Sequence, residues 1–429
     1  MPDPRRIAAR LQALWEIAHG PGGGADRPAF SPAEARAMLL VAGWAREAGL
    51  QPGIDGFGNL WALPGDWAGS VVTSGSHVDT VPDGGRYDGA LGTVLGLELA
   101  HELGEHEGLD VHPGPGERHG GEVRPGVLVC VAEEAPRFGA GTIGSRLLAG
   151  TLEESALDGL HDESGVSAAQ AREEYLGSLI DLPRVQPSPE RVRAHAEVHV
   201  AQRRSLRQLG VVTRVASPRR FEVLISGQAG HSGEVSMEER HDALAAAAEL
   251  VLAVEAAARA EPAETVATVG NLAVEPGAIS VIPGQARLVI DVRAISSASL
   301  DRLDAAIRRR TSEIAAQRGV GADLALVRAG EPVELDQSLA EIALQAARGL
   351  GIAATETWSG AGHDAQHLAA LMPTLLLFVP LHGGESHTPD EGADMDEILQ
   401  AATVAYRALL TASAGCERTG VSGRATRRE

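Results

Sequence analysis

The spacing of apolar and polar residues predicts helices that alternate with short strands. Residues 32–49 carry apolar positions at helical spacing, with Ser31 as a predicted N-cap and Gly49 near the helix end. Residues 90–104 show a second helical pattern, and 126–134 form an apolar run typical of a buried strand. This alternation favours a mainly parallel α/β sheet. Functional residues are therefore expected at the carboxyl ends of strands.

The pattern changes near residue 208. A strand pattern at 219–230 precedes a long alanine-rich helix predicted over 237–259, and a second helix is predicted over 299–317. Two helices among several strands are typical of a small α+β domain of two layers. The α/β pattern resumes at 334–351 and closes with a helix predicted over 394–411.

These changes predict two domains and a tail. The small α+β domain, residues 208–325, is inserted into a large catalytic domain that comprises 1–207 and 326–412 and has a mainly parallel mixed sheet with helices on both faces. Residues 413–429 have the composition of a disordered tail. Residues 105–125, rich in Gly, Pro and His, favour a surface loop over a metal-capturing stretch.

Composition narrows the choice of partners. The 429 residues include 37 Lys and Arg against 58 Asp and Glu, a formal charge of −21, which argues against nucleic acid and anionic membrane as partners. No apolar run reaches the roughly 18–20 residues of a membrane span, and the N-terminus is typical of an amphipathic helix. Cys130 and Cys416 offer no disulfide framework. We expect a cytoplasmic protein with a small-molecule substrate.

The segment GSHVDTVPDGGRYDGALG, residues 75–92, carries the sharpest chemical pattern. His77 and Asp79 flank one residue at a strand end, so both side chains point to the same side. Asp79 can then accept from the His77 imidazole and fix the tautomer of a metal ligand. Asp88 precedes a helix and by itself would be an N-cap, but the neighbouring His-x-Asp pattern favours a metal ligand.

Glu133 and Glu134 end the apolar run and predict paired chemistry. Adjacent carboxylates on a strand point in opposite directions, so one can bind metal while the other acts as a base on water; a solvated acidic turn is the alternative. His199 in AEVHVAQ and His387 in HGGESHTPDE could complete a site, although a lone histidine is more often structural. Histidine and carboxylate ligands suit Zn²⁺, Mn²⁺ or Co²⁺.

Several segments occur in an order that resembles a known family. They are GSHVDTVPDGGRYDGALG, EEAPRFG, HVAQ, GQAGHSG, RHDALAAAAELV, VGNLAVEPGAISVIPG, DVR, SGAGHDA and SHTPDE. Together they resemble the N-carbamoyl-L-amino acid hydrolase and allantoate amidohydrolase branch of the two-metal aminoacylase/carboxypeptidase superfamily. The resemblance spans roughly residues 10–410.

The resemblance implies two divalent metal ions per subunit, with Zn²⁺ preferred and Mn²⁺ or Co²⁺ as alternatives. The implied roles are His77 and His199 on one metal, Glu134 and His387 on the other, Asp88 as the bridge, Glu133 as general base and Asp79 as the carboxylate behind His77. A bridging water would then attack a linear amide, carbamoyl or ureido C–N bond of a small, carboxylate-bearing substrate.

The resemblance also implies a homodimer joined through the small domain, which acts as a lid. Its implied substrate contacts are His231, reaching the partner's site, Arg293 on the substrate carboxylate, and Gln202, Ser280 and Gly360. An aminoacylase, a dipeptidase or a specialised catabolic amidohydrolase is the alternative activity. A catalytically silent metal-binding relative is disfavoured, because it need not keep Glu133.

The chain departs from the family pattern at substrate contacts. After His199 the family usually reads Ile-Glu-Gln-Gly-Pro, whereas this chain has Val-Ala201-Gln-Arg203-Arg204, and Ser280 replaces an asparagine. A lost buried hydrogen bond can shift specificity by orders of magnitude. The substrate and the native metal therefore stay open, and His382 and Glu385, near His387, receive no role.

Overall fold

The structure, a computed structural model, describes residues 2–65, 69–105, 124–382 and 385–415. Most of the loop predicted at 105–125 and most of the tail predicted at 413–429 lie outside these residues. The chain forms two compact units. The larger unit comprises Met1–Thr213, Leu335–Thr357 and His363–Glu429, and the smaller unit comprises Arg214–Glu334 and Trp358–Gly362.

The elements follow one another as helices and short strands. The α-helices of the described residues are α1 (Pro4–Trp15), α2 (Pro32–Glu47), α3 (Ala90–Glu105), α4 (Ile143–Leu148), α5 (Ala168–Ser178), α6 (Ala243–Arg259), α7 (Ser297–Arg318), α8 (Gln337–Leu350), α9 (Asp364–Leu368) and α10 (Met395–Gly415). The strands there are β1 (Gln51–Ile54), β2 (Leu60–Leu63), β3 (Val71–Ser74), β4 (Arg124–Val129), β5 (Val192–Val200), β6 (Leu209–Val215), β7 (Ser217–Ser226), β8 (Gly230–His231), β9 (Val266–Glu275), β10 (Val281–Ile282), β11 (Gln285–Ala294), β12 (Gly321–Ala329), β13 (Val333–Glu334), β14 (Ala354–Ser359) and β15 (Thr374–Val379).

The larger unit is built on a mixed sheet with a parallel centre. Its strands run in the order β1-β2-β4-β3-β5-β15-β6, and β14 also pairs with β6. The contacts β4–β3, β3–β5 and β5–β15 are parallel, whereas the flanking pairs are antiparallel. The central strands are buried almost throughout, as parallel strands covered on both faces require. The predicted fold class is confirmed.

Local capping explains where α2 begins and ends. The Ser31 hydroxyl accepts from the Glu34 amide, and Pro32 occupies the first turn, where its missing N–H has no cost. Gly49 follows the helix at φ 77°, a backbone conformation that glycine adopts without a steric penalty. Both predicted boundaries of this helix are confirmed. No helix in the described ranges is long and apolar enough to cross a membrane.

Two predicted elements are wrong at one end. The strand predicted over 126–134 ends at Val129, because Cys130 forms only an isolated bridge with His77 and Ala132 turns the backbone at φ 55°. The helix predicted from 237 begins at Ala243, where the Asp242 carboxylate caps the helix by accepting from the Leu244 and Ala245 amides. Tertiary contacts therefore set the end of β4, and a side-chain cap sets the start of α6.

The last helix is also longer than predicted. α10 continues to Gly415 rather than ending at 411, so the first residues of the predicted tail are helical.

The smaller unit is a two-layer α+β structure. Its antiparallel sheet runs β12-β7-β11-β9, and α6 and α7 pack against one face. Buried and partly exposed residues alternate along β7 and β11, so one face of the sheet forms the core. A separate short pair, β8 with β10, places His231 opposite Val281.

Candidate metal centre

The predicted ligands lie at the carboxyl ends of neighbouring parallel strands of the larger unit. His77 follows β3, the Glu133–Glu134 pair follows β4, and His199 is the penultimate residue of β5. His387 follows β15, the strand beside β5. Because these strands are parallel neighbours, their ends meet at one edge of the sheet, where ligands of α/β proteins bind.

Asp88 joins two groups of side chains. Its Oδ1 atom lies 3.0 Å from His199 Nε2 and 3.6 Å from His77 Nε2. Its Oδ2 atom lies 3.1 Å from His387 Nε2, which is 3.4 Å from Glu134 Oε1. Each group offers three ligand atoms within reach of one cation, and Asp88 belongs to both. Glu133 Oε2 lies 3.9 Å from His77 Nε2, at the edge of the first group.

The hydrogen bonds of the two buried imidazoles show that this centre fits a cation. His77 Nδ1 lies 3.1 Å from the Asp79 carbonyl, and His199 Nδ1 lies 3.0 Å from the Val200 carbonyl. A carbonyl can only accept, so each Nδ1 carries a proton and Nε2 is the ring atom that faces Asp88. Burial acts to lower the pKa of both rings, but Asp79 and Asp88 raise that of His77 well above its usual value, and Asp88 raises that of His199. These two Nε2 atoms lie 3.4 Å apart and face Asp88 Oδ1, a buried atom without a hydrogen-bond partner among the described residues. This cluster requires positive charge, which a bound cation or protons on the rings can supply.

Asp79 contacts more than His77. The Asp79 carbonyl is the nearer acceptor for His77 Nδ1, because the carboxylate Oδ1 lies at 3.4 Å. The carboxylate instead accepts from the backbone amides of Glu133 and Glu134, at 3.1 and 2.9 Å. Asp79 therefore holds both the histidine and the paired glutamates, whereas the sequence predicted the first contact alone.

Glu34 holds the same loop from the other side. This completely buried carboxylate accepts from the Ala132 amide at 2.9 Å and from the Phe30 amide at 2.5 Å. Ala132 has a left-handed backbone, a strained conformation for a residue with a side chain. Two buried carboxylates, Glu34 and Asp79, thus fix three successive amides of the loop that carries Glu133 and Glu134. Nothing in the sequence near Glu34 indicated this contact.

Burial and neighbouring charges shift the pKa values of the acidic groups. Burial raises the pKa of Glu133 well above its usual range, and it raises that of Glu134 to about 7. Burial also acts to raise the pKa of Asp88, but the surrounding imidazoles, His199 first, hold it well below its usual value. The Asp88 carboxylate raises the pKa of His387 to about 9. Asp88 thus keeps its charge while Glu133 retains affinity for a proton.

Glu391 and Ser386 support Asp88, and the sequence assigned them no role. Glu391 is buried and its Oε1 atom accepts from the Tyr87 and Asp88 amides at 2.7 and 3.0 Å. The Ser386 hydroxyl lies 2.8 Å from Asp88 Oδ2 and 3.1 Å from Glu391 Oε2. Both residues lie in the SHTPDE segment around His387, so their position beside a predicted ligand was the available signal.

Two further contacts involve the predicted ligand histidines. Gln202, predicted as a substrate contact, places Nε2 3.3 Å from Asp88 Oδ2 and 3.3 Å from His387 Nε2. His363, from the SGAGHDA segment, is buried with its ring edge-on to His199 at a centroid distance of 4.6 Å. Glu197, His199 and His363 form a third group with metal-binding spacing. His199 Nδ1 is committed to a carbonyl, and its Nε2 faces Asp88.

The alternative role of Asp88 as an N-cap finds no support among the described contacts. Its carboxylate contacts imidazoles, Gln202 and Ser386, and within the described residues it accepts from no backbone amide of α3. His382 and Glu385 are both exposed: His382 Nε2 lies 3.1 Å from Asp394, and Glu385 forms an ion pair with Arg204 at 2.7 Å.

Four predicted substrate residues belong to the smaller unit. His231 is exposed, and its Nδ1 accepts from the Gly233 amide at 3.1 Å, so the neutral ring carries its proton on Nε2. Ser280 is exposed beside the β8–β10 pair, and its carbonyl accepts from the Ser232 amide. Arg293 donates through Nε to Asp291 at 2.8 Å and through Nη1 to the Gly360 carbonyl at 3.0 Å.

An α/β sheet with a shared carboxylate among histidines at its strand ends defines a metal-dependent hydrolase. Residues 74–411 match peptidase family M20/M25/M40, and the chain belongs to this family. It is 35% identical to an N-carbamoyl-L-amino acid amidohydrolase of Geobacillus stearothermophilus, over 94% of this chain and 97% of the relative. It is 32% identical to an allantoate amidohydrolase of Bacillus subtilis, over 90% and 92%.

Solved structures agree with this assignment. An amidase of the hydantoinase/carbamoylase family from Burkholderia multivorans superposes with a TM-score of 0.83 at 31% identity, covering 96% of this chain and 98% of that chain. The family resemblance predicted from the ordered segments is confirmed.

Proposed function

We propose that this protein hydrolyses a linear amide, carbamoyl or ureido C–N bond in a small, carboxylate-bearing substrate. The observation that carries the proposal is Asp88, a buried carboxylate shared by two groups of metal-binding side chains with Glu133 beside them. Curated relatives named for N-carbamoyl-L-amino acids and for allantoate support this bond type.

His77 and His199 would hold one divalent ion and Glu134 and His387 a second, with Asp88 between them. Zn²⁺ suits this ligand set best, and Mn²⁺ or Co²⁺ also fit it. When bound, the two ions would supply Lewis-acid polarisation of the scissile carbonyl and activation of water. The network of Asp79, Glu391 and Ser386 would hold the ligands in place.

Glu133 would move the proton. Its burial raises its pKa, so the carboxylate can take a proton from the attacking water and later deliver it to the leaving nitrogen. The backbone amide of Glu133 donates a hydrogen bond to the Asp79 carboxylate, and this limits the positions that the Glu133 carboxylate can reach. Fixed geometry of a general base lowers the entropic part of the barrier.

The smaller unit would recognise the substrate. Arg293, fixed by Asp291 and the Gly360 carbonyl, would bind the substrate carboxylate. His231 would donate from Nε2–H to the oxygen that gains charge, a contribution of about 3 kcal/mol for one such donor. We further propose a cytoplasmic homodimer joined through the smaller unit, in which His231 serves the partner's centre. Gln202, Ser280 and Gly360 complete the proposed substrate contacts.

The test is metal-dependent release of amine or ammonia from a panel of N-carbamoyl, N-acyl and ureido acids. We expect Glu133→Gln to lower kcat by at least 10³-fold while two metal ions per subunit remain bound. Glu173→Gln, at an exposed glutamate of α5 outside the predicted site residues, is the matched control and should keep the activity of the wild type.

Two outcomes would refute the proposal: full turnover by Glu133→Gln, or one metal ion or none per reconstituted subunit. Faster release from N-acyl acids or dipeptides would favour the aminoacylase or dipeptidase alternative. Bound metal with no turnover of any panel member would favour a silent metal-binding protein.

A further inference from the structure

A cavity of about 410 Å³ lies beside the metal centre, within the larger unit. Glu134, a proposed metal ligand, forms part of its wall. The remaining lining comes from the segments 28–32, 80–82, 136–137 and 162–164. Its volume is in the range of small-molecule sites, and it exceeds what one water or one ammonia molecule would need.

Four of the twelve residues that line this cavity are prolines. Pro28, Pro32, Pro82 and Pro136 line it together with the methyl group of Ala29. A proline ring is apolar and its nitrogen has no proton to donate, so these segments offer hydrocarbon surface with few hydrogen bonds. Each ring also fixes its own φ angle, which limits the rearrangement that a ligand would have to drive.

Two of the four charged side chains in the lining, Arg137 and Asp162, pair with each other. Arg137 donates from Nε and Nη2 to Asp162 at 3.2 and 3.1 Å, and from Nη1 to the Ala29 carbonyl at 2.7 Å. Asp162 also accepts from the Ser164 amide and hydroxyl at 3.0 and 2.6 Å. The carboxylate of Glu163 adds a negative charge to the lining. An anionic group would therefore be repelled, whereas a neutral hydrocarbon group would not.

We infer that this cavity binds the hydrocarbon side chain of the substrate. Glu134 belongs both to the proposed metal centre and to the wall of this cavity. A substrate with its scissile bond at that centre can therefore extend a side chain into the cavity. The inference rests on the proposed function for the position of the scissile bond. It assigns the substrate to N-carbamoyl or N-acyl amino acids with branched aliphatic or aromatic side chains, in preference to glycine derivatives and acids with a second ureido group.

The test measures binding, so it does not depend on turnover. Isothermal titration calorimetry of the metal-loaded Glu133→Gln variant is performed with the N-carbamoyl derivatives of glycine, L-alanine, L-leucine, L-phenylalanine and L-aspartate. Burial of a leucine side chain is expected to tighten binding about 10- to 100-fold over glycine. The aspartate derivative should bind no more tightly than the alanine derivative.

A pocket-filling variant locates the effect. Pro136→Phe, added to this background, places a large ring in the cavity and should weaken binding of the leucine and phenylalanine derivatives at least 10-fold. The glycine derivative should change less than 3-fold. Pro21→Phe is the matched control, since Pro21 is an exposed proline in a turn of the larger unit and does not line the cavity. It should leave the whole binding series unchanged.

The outcomes separate this inference from the proposed function. Equal affinity for all side chains, loss of affinity for every ligand alike in Pro136→Phe, or no binding of any derivative would overturn the inference. Side-chain selectivity that Pro136→Phe abolishes would support it, even if the wild-type protein hydrolysed none of the ligands. If the wild-type protein hydrolysed none of the ligands, the proposed function would be wrong although the inference about the cavity still held.

Discussion

The Nε2 atoms of His77 and His199 lie 3.4 Å apart, and each ring is held through Nδ1 by a backbone carbonyl. Both Nε2 atoms face the Asp88 carboxylate, so one cation could bind all three groups. The geometry comes from β3 and β5, parallel neighbours whose ends hold the two rings in place.

Metal binding should stabilise the fold through these rings. We expect Zn²⁺, Mn²⁺ or Co²⁺ to raise the unfolding temperature of chelator-treated protein, with about 2.7 kcal/mol gained when free metal is 100 times its dissociation constant. His199→Gln should lose most of that gain and at least one metal ion per subunit. Calorimetry and metal analysis measure both quantities.

His195→Gln is the matched control for this substitution. His195 lies on the same strand and is equally buried, but it contacts the Thr73 hydroxyl, and burial lowers its pKa to about 3. This variant should keep the full metal content. Equal loss of metal from both variants would contradict the assignment of His199.

Gly89 leaves room for the His77 ring. At φ 63° a side chain is strained there, and an added Cβ would lie 2.3 Å from His77 Cε1. Gly150 has φ 67° with nothing within 4 Å of its Cβ position. Both Gly→Ala variants should lose about 1–2 kcal/mol from backbone strain. Only Gly89→Ala should also weaken metal binding, measured by competition with a chelator, and similar metal affinity in the two variants would refute the steric role.

Glu391 should control metal affinity without being a ligand. Glu391→Ala removes the acceptor for the Tyr87 and Asp88 amides and a contact to Ser386, which frees the bridging carboxylate to move. We expect metal affinity to fall about 10- to 100-fold, as for other residues that support metal ligands. Asp396→Ala, at an exposed site in the first turn of α10, should bind metal normally. Unchanged affinity in Glu391→Ala would contradict the role.

The metal-free protein should lose stability as the pH rises towards 7. Burial raises the pKa of Asp364 from 3.8 to about 7, so the folded chain binds a proton that the unfolded chain releases near pH 4. The stabilisation from this group is complete below about pH 4 and is lost as the pH approaches 7, with a limiting slope of about 1.4 kcal/mol per pH unit. Glu134 and Glu391 act in the same direction.

Asp364→Asn removes this one group and should flatten the dependence. Urea unfolding of chelator-treated wild type and variant at pH 5, 6 and 7 measures the difference in slope. Parallel curves for the two proteins would show that Asp364 does not carry the shift.

The sequence by itself determined the elements and the local half of the site. Helical and strand periodicity, with caps such as Ser31, encodes α2 and the parallel sheet, because side-chain periodicity depends on neighbours in sequence. The His77-x-Asp79 spacing and the adjacent Glu133 and Glu134 each predict a functional role from a few consecutive residues. His199 and His387 were predicted mainly through the family resemblance, since a single histidine in a strand or a loop has no local signature.

Only the tertiary structure decided how these parts meet. Glu391 and Asp88 are 303 positions apart, and Glu34 and Ala132 are 98 apart, so no local pattern could relate them. The end of β4 at Val129 likewise depends on the left-handed backbone of Ala132. It also depends on the hydrogen bonds that the backbone amides after β4 donate to Glu34 and Asp79. The cavity beside Glu134 is formed by segments that no periodicity connects. The physical reason is that a buried amide or carboxylate must find a hydrogen-bond partner. The folded path of the chain decides which distant residue supplies that partner.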